Sequence, residues 1–74
     1  MILSMISYEP LRILLVKKKL NLTDLRNLTG ASFSVVSKIN KDEYMGLETI
    51  DRFCKALNCT IPDIVEYIPD DPQT

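Results

Sequence analysis

The sequence predicts an all-α domain of five short helices, and three features support this prediction. Asn, Ser and Thr residues precede several apolar runs, at positions where their side chains cap the first backbone N–H groups of a helix. Apolar residues then recur at spacings of three and four, as along one face of a helix. Strand-length β-branched runs with period two are missing, although the apolar residues 1–6 could form a short strand or an arm.

The first helix is expected to be capped by Ser7, with Pro10 in the first turn, where proline is tolerated. The residues that follow on one face of this helix are Leu11, Leu14, Leu15 and Lys18. The helix should end at residues 17–19, which are all lysine, because cations suit the negative end of the helix dipole.

A second helix is predicted at residues 22–28. Asn21 and Asp24 have the spacing of a capping box, in which each side chain accepts a hydrogen bond from the other residue's backbone N–H. Gly30 follows the helix, at a position where a left-handed backbone is least costly for glycine. Gly30 is therefore predicted to form the turn into a third helix.

The third helix is predicted at residues 33–41, capped by Ser32, with Val36 and Ile39 facing inward. Two short helices joined by a glycine-containing turn make a helix-turn-helix. The opposite face of this third helix has the spacing i, i+3, i+4, i+7 and consists of Ser34, Ser37, Lys38 and Lys41. These are hydroxyls and cations without a single acid.

Two further helices are predicted. Gly46 caps the fourth, at residues 47–57, whose inward face is formed by Ile50, Phe53, Cys54 and Leu57. Thr60 and Asp63 have capping spacing for the fifth, at residues 61–68, which is expected to bury Ile64, Val65 and Ile68. Residues 1–68 thus form one domain with a possible apolar arm at 1–7, and residues 69–74 form a short tail.

The charges are divided along the chain. Residues 1–41 carry seven Lys and Arg against two acids, a net charge of +5, whereas residues 42–74 carry two against eight, a net charge of −6. No carboxylate occurs between Asp24 and Asp42. A carboxylate there would repel nucleic-acid phosphates, so this run favours a DNA-facing helix over an ordinary solvated one.

The sequence offers little other chemistry. Cys54 and Cys59, without any histidine, are too few to hold structural zinc, so free thiols are expected, although a disulfide between them stays open. No phosphate-binding glycine loop or acid–base pair is evident. We therefore predict no enzyme, catalytic residue, metal, cofactor or small-molecule ligand. The N-terminal apolar run is too short for a membrane span or a signal peptide, which predicts a cytoplasmic protein.

These motifs together resemble the lambda-repressor-like (Cro/CI, XRE-type) helix-turn-helix family. The resemblance covers about residues 8–68 and is carried by the segments LNLTDLRNLTGASFSVVSKI and LETIDRFCKALNCTIPDIVEYIPD. It implies a small stand-alone transcriptional regulator of five helices that binds double-stranded DNA sequence-specifically and is commonly dimeric. Residues 22–28 would be the positioning helix, and residues 33–41 the recognition helix in the major groove.

The resemblance also implies contacts. Those with base edges would be made by Phe33, Ser34, Ser37 and Lys38, and those with phosphates by Asn21, Asn40 and Lys41. Two residues depart from the family pattern. Arg26 stands where a small alanine is usual, and its stem could pack while its head reaches the solvent. Phe33 replaces a polar residue, and could touch a thymine methyl or simply pack over the helix start.

One recognition helix reads too few base pairs to define a site, which predicts a homodimer, at least on DNA. Residues 1–6, or Ile13 and Val16, could supply its contact, unless they cover the monomer's core. The competing interpretation is a small helical interaction module that has lost DNA binding and pairs with another regulator; the acidic C-terminal half and Arg26 leave it open.

Overall fold

The computed structural model of the chain describes residues 6–69. Four of the five predicted helices occur as α-helices, and their ends lie within one or two residues of the expected positions. The elements in chain order are β1 (Ile6–Ser7), α1 (Glu9–Lys17), α2 (Leu22–Thr29), α3 (Phe33–Lys41), α4 (Leu47–Leu57), a 3-10 turn (Ile61–Asp63) and β2 (Glu66–Tyr67).

The core is built from the inward faces of all four helices. Its fully or almost fully buried apolar side chains are Tyr8, Leu11, Leu15, Leu25, Val36, Ile39, Ile50, Phe53, Leu57 and Ile64. The predicted inward positions of α3 and α4 are confirmed, except that Cys54 is half-buried. Each buried Leu, Ile or Phe contributes about 1.5–3 kcal/mol of hydrophobic free energy. Since α2 packs against both α3 and α4, this core fixes the helix-turn-helix to the rest of the domain.

The predicted fifth helix at residues 61–68 is wrong. The cap signal is real, because the Asp63 carboxylate accepts from the backbone N–H of Thr60 at 3.0 Å, but only one 3-10 turn follows it. The chain then extends, which leaves Ile64 buried, Val65 half-buried and Ile68 exposed. A capping box marks where a helix can begin and does not set how long it continues.

The extended segment forms strand β2, which pairs antiparallel with β1. Ile6 lies opposite Tyr67, and Ser7 lies opposite Glu66. The β-branched and aromatic residues here suit a strand once a partner is available. The domain is therefore mostly helical, with a small two-stranded sheet that joins the two ends of the described chain.

The N-terminal segment differs from its prediction in part. Helix α1 begins at Glu9, Tyr8 occupies the N-cap without a side-chain cap bond, and Ser7 belongs to β1. The Ser7 hydroxyl still accepts from the Glu9 backbone N–H at 3.1 Å, so it satisfies one first-turn donor from inside the strand. Of the possible arm at residues 1–7, residues 1–5 lie outside the described part of the chain, as do residues 70–74 of the tail.

Candidate nucleic-acid interface

The start of α2 is held by the predicted capping box. The Asn21 Oδ1 atom accepts from the Asp24 backbone N–H at 2.8 Å, and the Asp24 Oδ2 atom accepts from the Asn21 backbone N–H at 3.0 Å. Asn21 is exposed, and its oxygen is occupied by the cap. Its side-chain amide N–H groups therefore remain the donors that it can offer to an outside acceptor such as a phosphate.

The turn between α2 and α3 requires glycine for conformational reasons alone. Gly30 has φ +76°, in the left-handed region, and its N–H donates to the Arg26 carbonyl at 2.7 Å. No atom lies within 4 Å of where a β-carbon would be, so space is not the constraint. Two residues later the Ser32 hydroxyl accepts from the Val35 N–H at 3.3 Å and caps α3. This short turn sets the angle between the two helices.

Helix α3 has a buried face and an open face. Val36 and Ile39 are fully buried, as predicted. Six residues of this helix were predicted to contact DNA. Four of them are exposed, namely Phe33, Ser34, Asn40 and Lys41, and two are half-buried, namely Ser37 and Lys38. The helix thus brings these six side chains to the accessible part of its surface, while Asn21 lies at the start of the preceding helix.

The serine hydroxyls on this face already make local hydrogen bonds. Ser37 donates to the Ser34 carbonyl at 2.9 Å, and the hydroxyls of Ser34 and Ser32 lie 3.0 Å apart. A hydroxyl has one proton to donate and two lone pairs. With its proton engaged inside the helix, Ser37 is set up to accept, as from the amino group of an adenine or a cytosine.

The cations of α3 are unpaired in the described part of the chain. Lys38 and Lys41 take part in neither of the ion pairs among residues 6–69, which join Arg12 to Asp42 and Lys55 to Asp51. The first turn of α3 contains no acid. The open face of the helix therefore presents positive charge that is available to an anionic partner.

The C-terminal end of α3 is joined to the start of α1 by three residues, which we call the clamp. Tyr8 and Arg12 lie at the start of α1, and Asp42 is the C-cap of α3. The Asp42 Oδ1 atom accepts from the Tyr8 backbone N–H at 2.8 Å and from the Arg12 guanidinium at 3.2 Å. Arg12 also donates to the Ile39 carbonyl in the last turn of α3. The Tyr8 hydroxyl donates to the Glu43 carbonyl at 2.7 Å, so the loop after α3 is held as well.

The clamp also holds Asp42, the first carboxylate after α3. Asp42 closes α3 in the left-handed conformation, with φ +55°, and its charge is directed toward Arg12. Because that charge is neutralised within the protein, it repels a phosphate near Lys41 less than a free carboxylate would. Burial raises the pKa of Tyr8 above its ordinary value of 10.0, so its hydroxyl keeps its proton, and its hydrogen bond to Glu43, to a higher pH than an exposed tyrosine would.

The two residues that depart from the family pattern lie against each other. The guanidinium carbon of Arg26 is 5.8 Å from the centroid of the Phe33 ring. Arg26 is half-buried, whereas Phe33 is 64% exposed. The expectation that the Arg26 head reaches the solvent is not met at its Nε atom, which is buried, and the guanidinium carbon lies over the ring instead.

Comparison with known proteins decides the family. The model of the Cro/C1-type helix-turn-helix DNA-binding domain matches residues 10–70. The chain belongs to this family. An uncharacterised HTH-type transcriptional regulator of Bacillus subtilis (strain 168), YozG, is 34% identical over 61 residues, which cover 80% of this chain and 73% of that protein. The crystal structure of the transcriptional regulator VanUg matches with a TM-score of 0.82 and 34% identity, over 88% of this chain and 87% of that one.

Membership of the Cro/C1-type family confirms the predicted helix-turn-helix fold and the predicted DNA-binding regulator, as opposed to an enzyme. The roles predicted for individual residues of α3 stay predictions, since exposure alone does not distinguish a base contact from a phosphate contact. Sequence reasoning missed the clamp of Tyr8, Arg12 and Asp42. Asp42 lies 34 positions after Tyr8 and 30 after Arg12, and nothing in their local sequence marks the pairing.

Three further observations apply to residues 6–69. None of the helices there is long and apolar enough to cross a bilayer, the longest having 11 residues. In the same range, no three His, Cys, Asp or Glu side chains gather into a cluster that could hold a metal ion. Cys54 and Cys59 are both free thiols.

Proposed function

We propose that the protein regulates transcription by binding double-stranded DNA sequence-specifically, with α3 in the major groove. The observation that carries this proposal is the open face of α3, where Lys38 and Lys41 are unpaired and no acid shares the helix. An α-helix fits the major groove, and cations on it neutralise phosphates. Because the protein must reach the chromosome to act on DNA, we also propose that it is cytoplasmic.

The proposed contacts follow the chemistry of each side chain. Those with base edges involve Phe33, Ser34, Ser37 and Lys38, and those with phosphates involve Asn21, Asn40 and Lys41. Lys38 can donate to the O6 and N7 acceptors of a guanine, and Ser37 can accept from a base amino group. The Asn21 amide and the exposed Lys41 reach outward from the two ends of the helix-turn-helix, as phosphate contacts require.

The experiment is selection of bound duplexes from a random library, followed by binding measurements at several salt concentrations. Lys38→Ala should cost about 1–3 kcal/mol on the selected site and relax sequence preference. Lys41→Ala should weaken all duplexes alike and flatten the salt dependence by about one unit of slope. Lys55→Ala is the matched control, because Lys55 is paired with Asp51 on α4.

The control variant should bind like the parent protein. Glu66→Ala, in the acidic half, should change affinity little. If both α3 variants bind like the parent while a control variant does not, the assigned face is wrong. All these side chains lie at least partly on the surface, so stability should change by less than about 0.5 kcal/mol each and unfolding would not explain a loss of binding.

We propose further that two copies bind together. Tyr44 and Leu47 are exposed in the segment that follows α3, and with Ile61 they border an apolar cavity of about 210 Å³. A twofold contact at this surface, which we call the loop surface, would set two α3 helices side by side for half-sites about one helical turn apart. Glu43 and Glu48 flank this surface, and each would repel its copy in the second molecule. This repulsion weakens pairing in free solution, so we expect the two copies to pair when DNA holds them together.

The loop surface competes with the two contacts predicted from the sequence. One is residues 1–6, of which 1–5 lie outside the described part of the chain, and the other is Ile13 with Val16, which are also exposed. Leu47→Ser should abolish cooperative binding of two copies, measured by gel shift and light scattering, and Val16→Ser is the matched control. If Val16→Ser abolished cooperative binding and Leu47→Ser did not, the contact between the two copies would lie on α1 instead. One protein on a short asymmetric site would refute the homodimer.

The interaction module without DNA binding remains the second candidate, favoured by the acidic residues after position 41 and by the exposed loop surface. Retention on duplex DNA at low salt separates the two functions. If the parent protein and its Lys38→Ala variant both pass through a duplex-DNA column without being retained, the result would favour the interaction module.

A further inference from the structure

Arg26 and Phe33 connect the two helices of the helix-turn-helix on either side of the Gly30 turn. Arg26 lies in the second half of α2, and Phe33 is the first residue of α3. Their 5.8 Å separation, from guanidinium carbon to ring centroid, is within the range of a cation–π contact. The pair therefore couples a side chain of the positioning helix to the first residue of the recognition helix.

Within residues 6–69, the Phe33 ring is the partner that the Arg26 guanidinium contacts. The Arg26 Nε atom is buried and has no hydrogen-bond acceptor, and no carboxylate among these residues pairs with the guanidinium. A buried N–H without an acceptor is unfavourable, so some other interaction must hold the side chain in place. Attraction to the face of the Phe33 ring supplies it, and at the same time restricts where the ring can lie.

Phe33 keeps 64% of its surface open although it is a large apolar side chain. Simple packing over the helix start would cover more of the ring. In the major groove, the C5-methyl of thymine is the apolar group on the base edges, whereas the other groups there are donors and acceptors. A phenyl ring that covers those polar groups leaves them without partners, and so it selects for the methyl group.

We propose that Arg26 and Phe33 form one recognition unit, in which the Phe33 ring contacts a thymine methyl and Arg26 is the positioning residue that holds the ring. This inference rests on the proposed function, because it requires α3 to lie in the major groove. It adds Arg26 to the residues that determine sequence preference, although Arg26 belongs to the positioning helix.

The test uses the selected duplex, with deoxyuridine replacing each thymine in turn. This change removes one methyl group and leaves base pairing intact. At one position of each half-site, the parent protein should lose about fourfold in affinity, the amount that corresponds to one buried methyl-sized group. The Phe33→Ala variant should bind the thymine and deoxyuridine duplexes equally.

The role of Arg26 is tested with a matched pair of variants. Arg26→Lys keeps a cation over the ring and should preserve most of the discrimination between thymine and deoxyuridine. Arg26→Met keeps an apolar stem of similar length without the charge, and should reduce the discrimination. Thermal unfolding of each variant provides the control, and a merely structural Arg26 would shift the unfolding temperature without changing the thymine-to-deoxyuridine ratio.

Several outcomes would overturn the inference. Discrimination that survives Phe33→Ala would exclude the ring as the methyl contact. Unchanged discrimination in Arg26→Met, with the slope against salt lower by about one, would make Arg26 a phosphate contact instead. If the library enriches no duplex, the proposed function fails as well. If Lys38→Ala weakens an enriched site while Phe33→Ala leaves discrimination intact, this inference alone fails.

Discussion

Substitutions of Asp42 should separate what its side chain holds from what its backbone requires. Its Oδ1 atom accepts from the Tyr8 N–H at 2.8 Å and from Arg12 at 3.2 Å. Its backbone is left-handed, with φ +55°. Asn at this position removes the charge and keeps an acceptor. Gly removes the charge and the acceptor but relieves the backbone, and Ala removes both while keeping a β-carbon in the left-handed region.

The expected losses of unfolding free energy follow from these differences. Asp42→Asn keeps an oxygen acceptor and tolerates the left-handed region, and because both partners of the ion pair are 34% exposed, solvent screening limits the loss to about 0.5–1 kcal/mol. Asp42→Gly leaves the buried Tyr8 N–H without its acceptor, which costs about 1–3 kcal/mol. Asp42→Ala should be less stable than Asp42→Gly by about 1 kcal/mol, because alanine keeps a β-carbon in the left-handed region.

Urea unfolding followed by circular dichroism provides the assay, because a total stability of about 4–10 kcal/mol for a chain of this size leaves every variant measurable. The expected order of stability is Asn, then Gly, then Ala. Equal stability of the Asn and Gly variants would show that the hydrogen bonds of the Asp42 side chain do not stabilise the fold. Equal stability of Gly and Ala would refute the argument from backbone strain.

Three further predictions concern stability. Gly30→Ala should cost about 1–2 kcal/mol in urea unfolding, all of it from the backbone, and a harmless substitution would contradict this. Gly46→Ser should raise stability by about a few tenths of a kcal/mol, since Gly46 is an extended N-cap without a side-chain bond. Phe53→Ala should cost about 3–5 kcal/mol and Leu47→Ala, at a position 77% exposed, less than about 0.5, by the same assay. Burial raises the pKa of the Cys59 thiol from 9.0 to about 11, and that of Tyr8 above 10.0. Because the unfolded chain loses these protons first, the stability that these two groups contribute should be unchanged below pH 9 and should fall through pH 9–11. Thermal melts across this range should show a shallower fall for Cys59→Ser, and an equal fall would exclude Cys59 as a source.

The features that sequence alone predicted depend on neighbours in the chain. The Asn21 capping box, the Gly30 turn and the inward positions Val36 and Ile39 each follow from residues within about one helical turn, and the structure confirms all of them. For the same reason, the sequence predicted which side chains lie together on the open face of α3. Helical spacing alone determines which side chains share a face.

The features that sequence missed depend on distant residues. The strand at Glu66–Tyr67 exists because Ile6–Ser7 lies beside it, and a local pattern at residues 61–68 gives no sign of that partner. The pairing of Arg12 with Asp42 is likewise set by how α1 crosses the end of α3. Arg26 and Phe33 were each recognised as unusual, but only the turn between the helices brings them together.

The small sheet has a consequence for the order of folding. Pairing Ile6 with Tyr67 closes a loop of about 60 residues, whose entropy costs about 4 kcal/mol by the logarithmic dependence on loop length. Strands of two residues each offer too few hydrogen bonds to offset that cost alone. The helices must therefore assemble first and bring the ends together, so that the sheet forms late and its backbone amides exchange with solvent before those of the helical core.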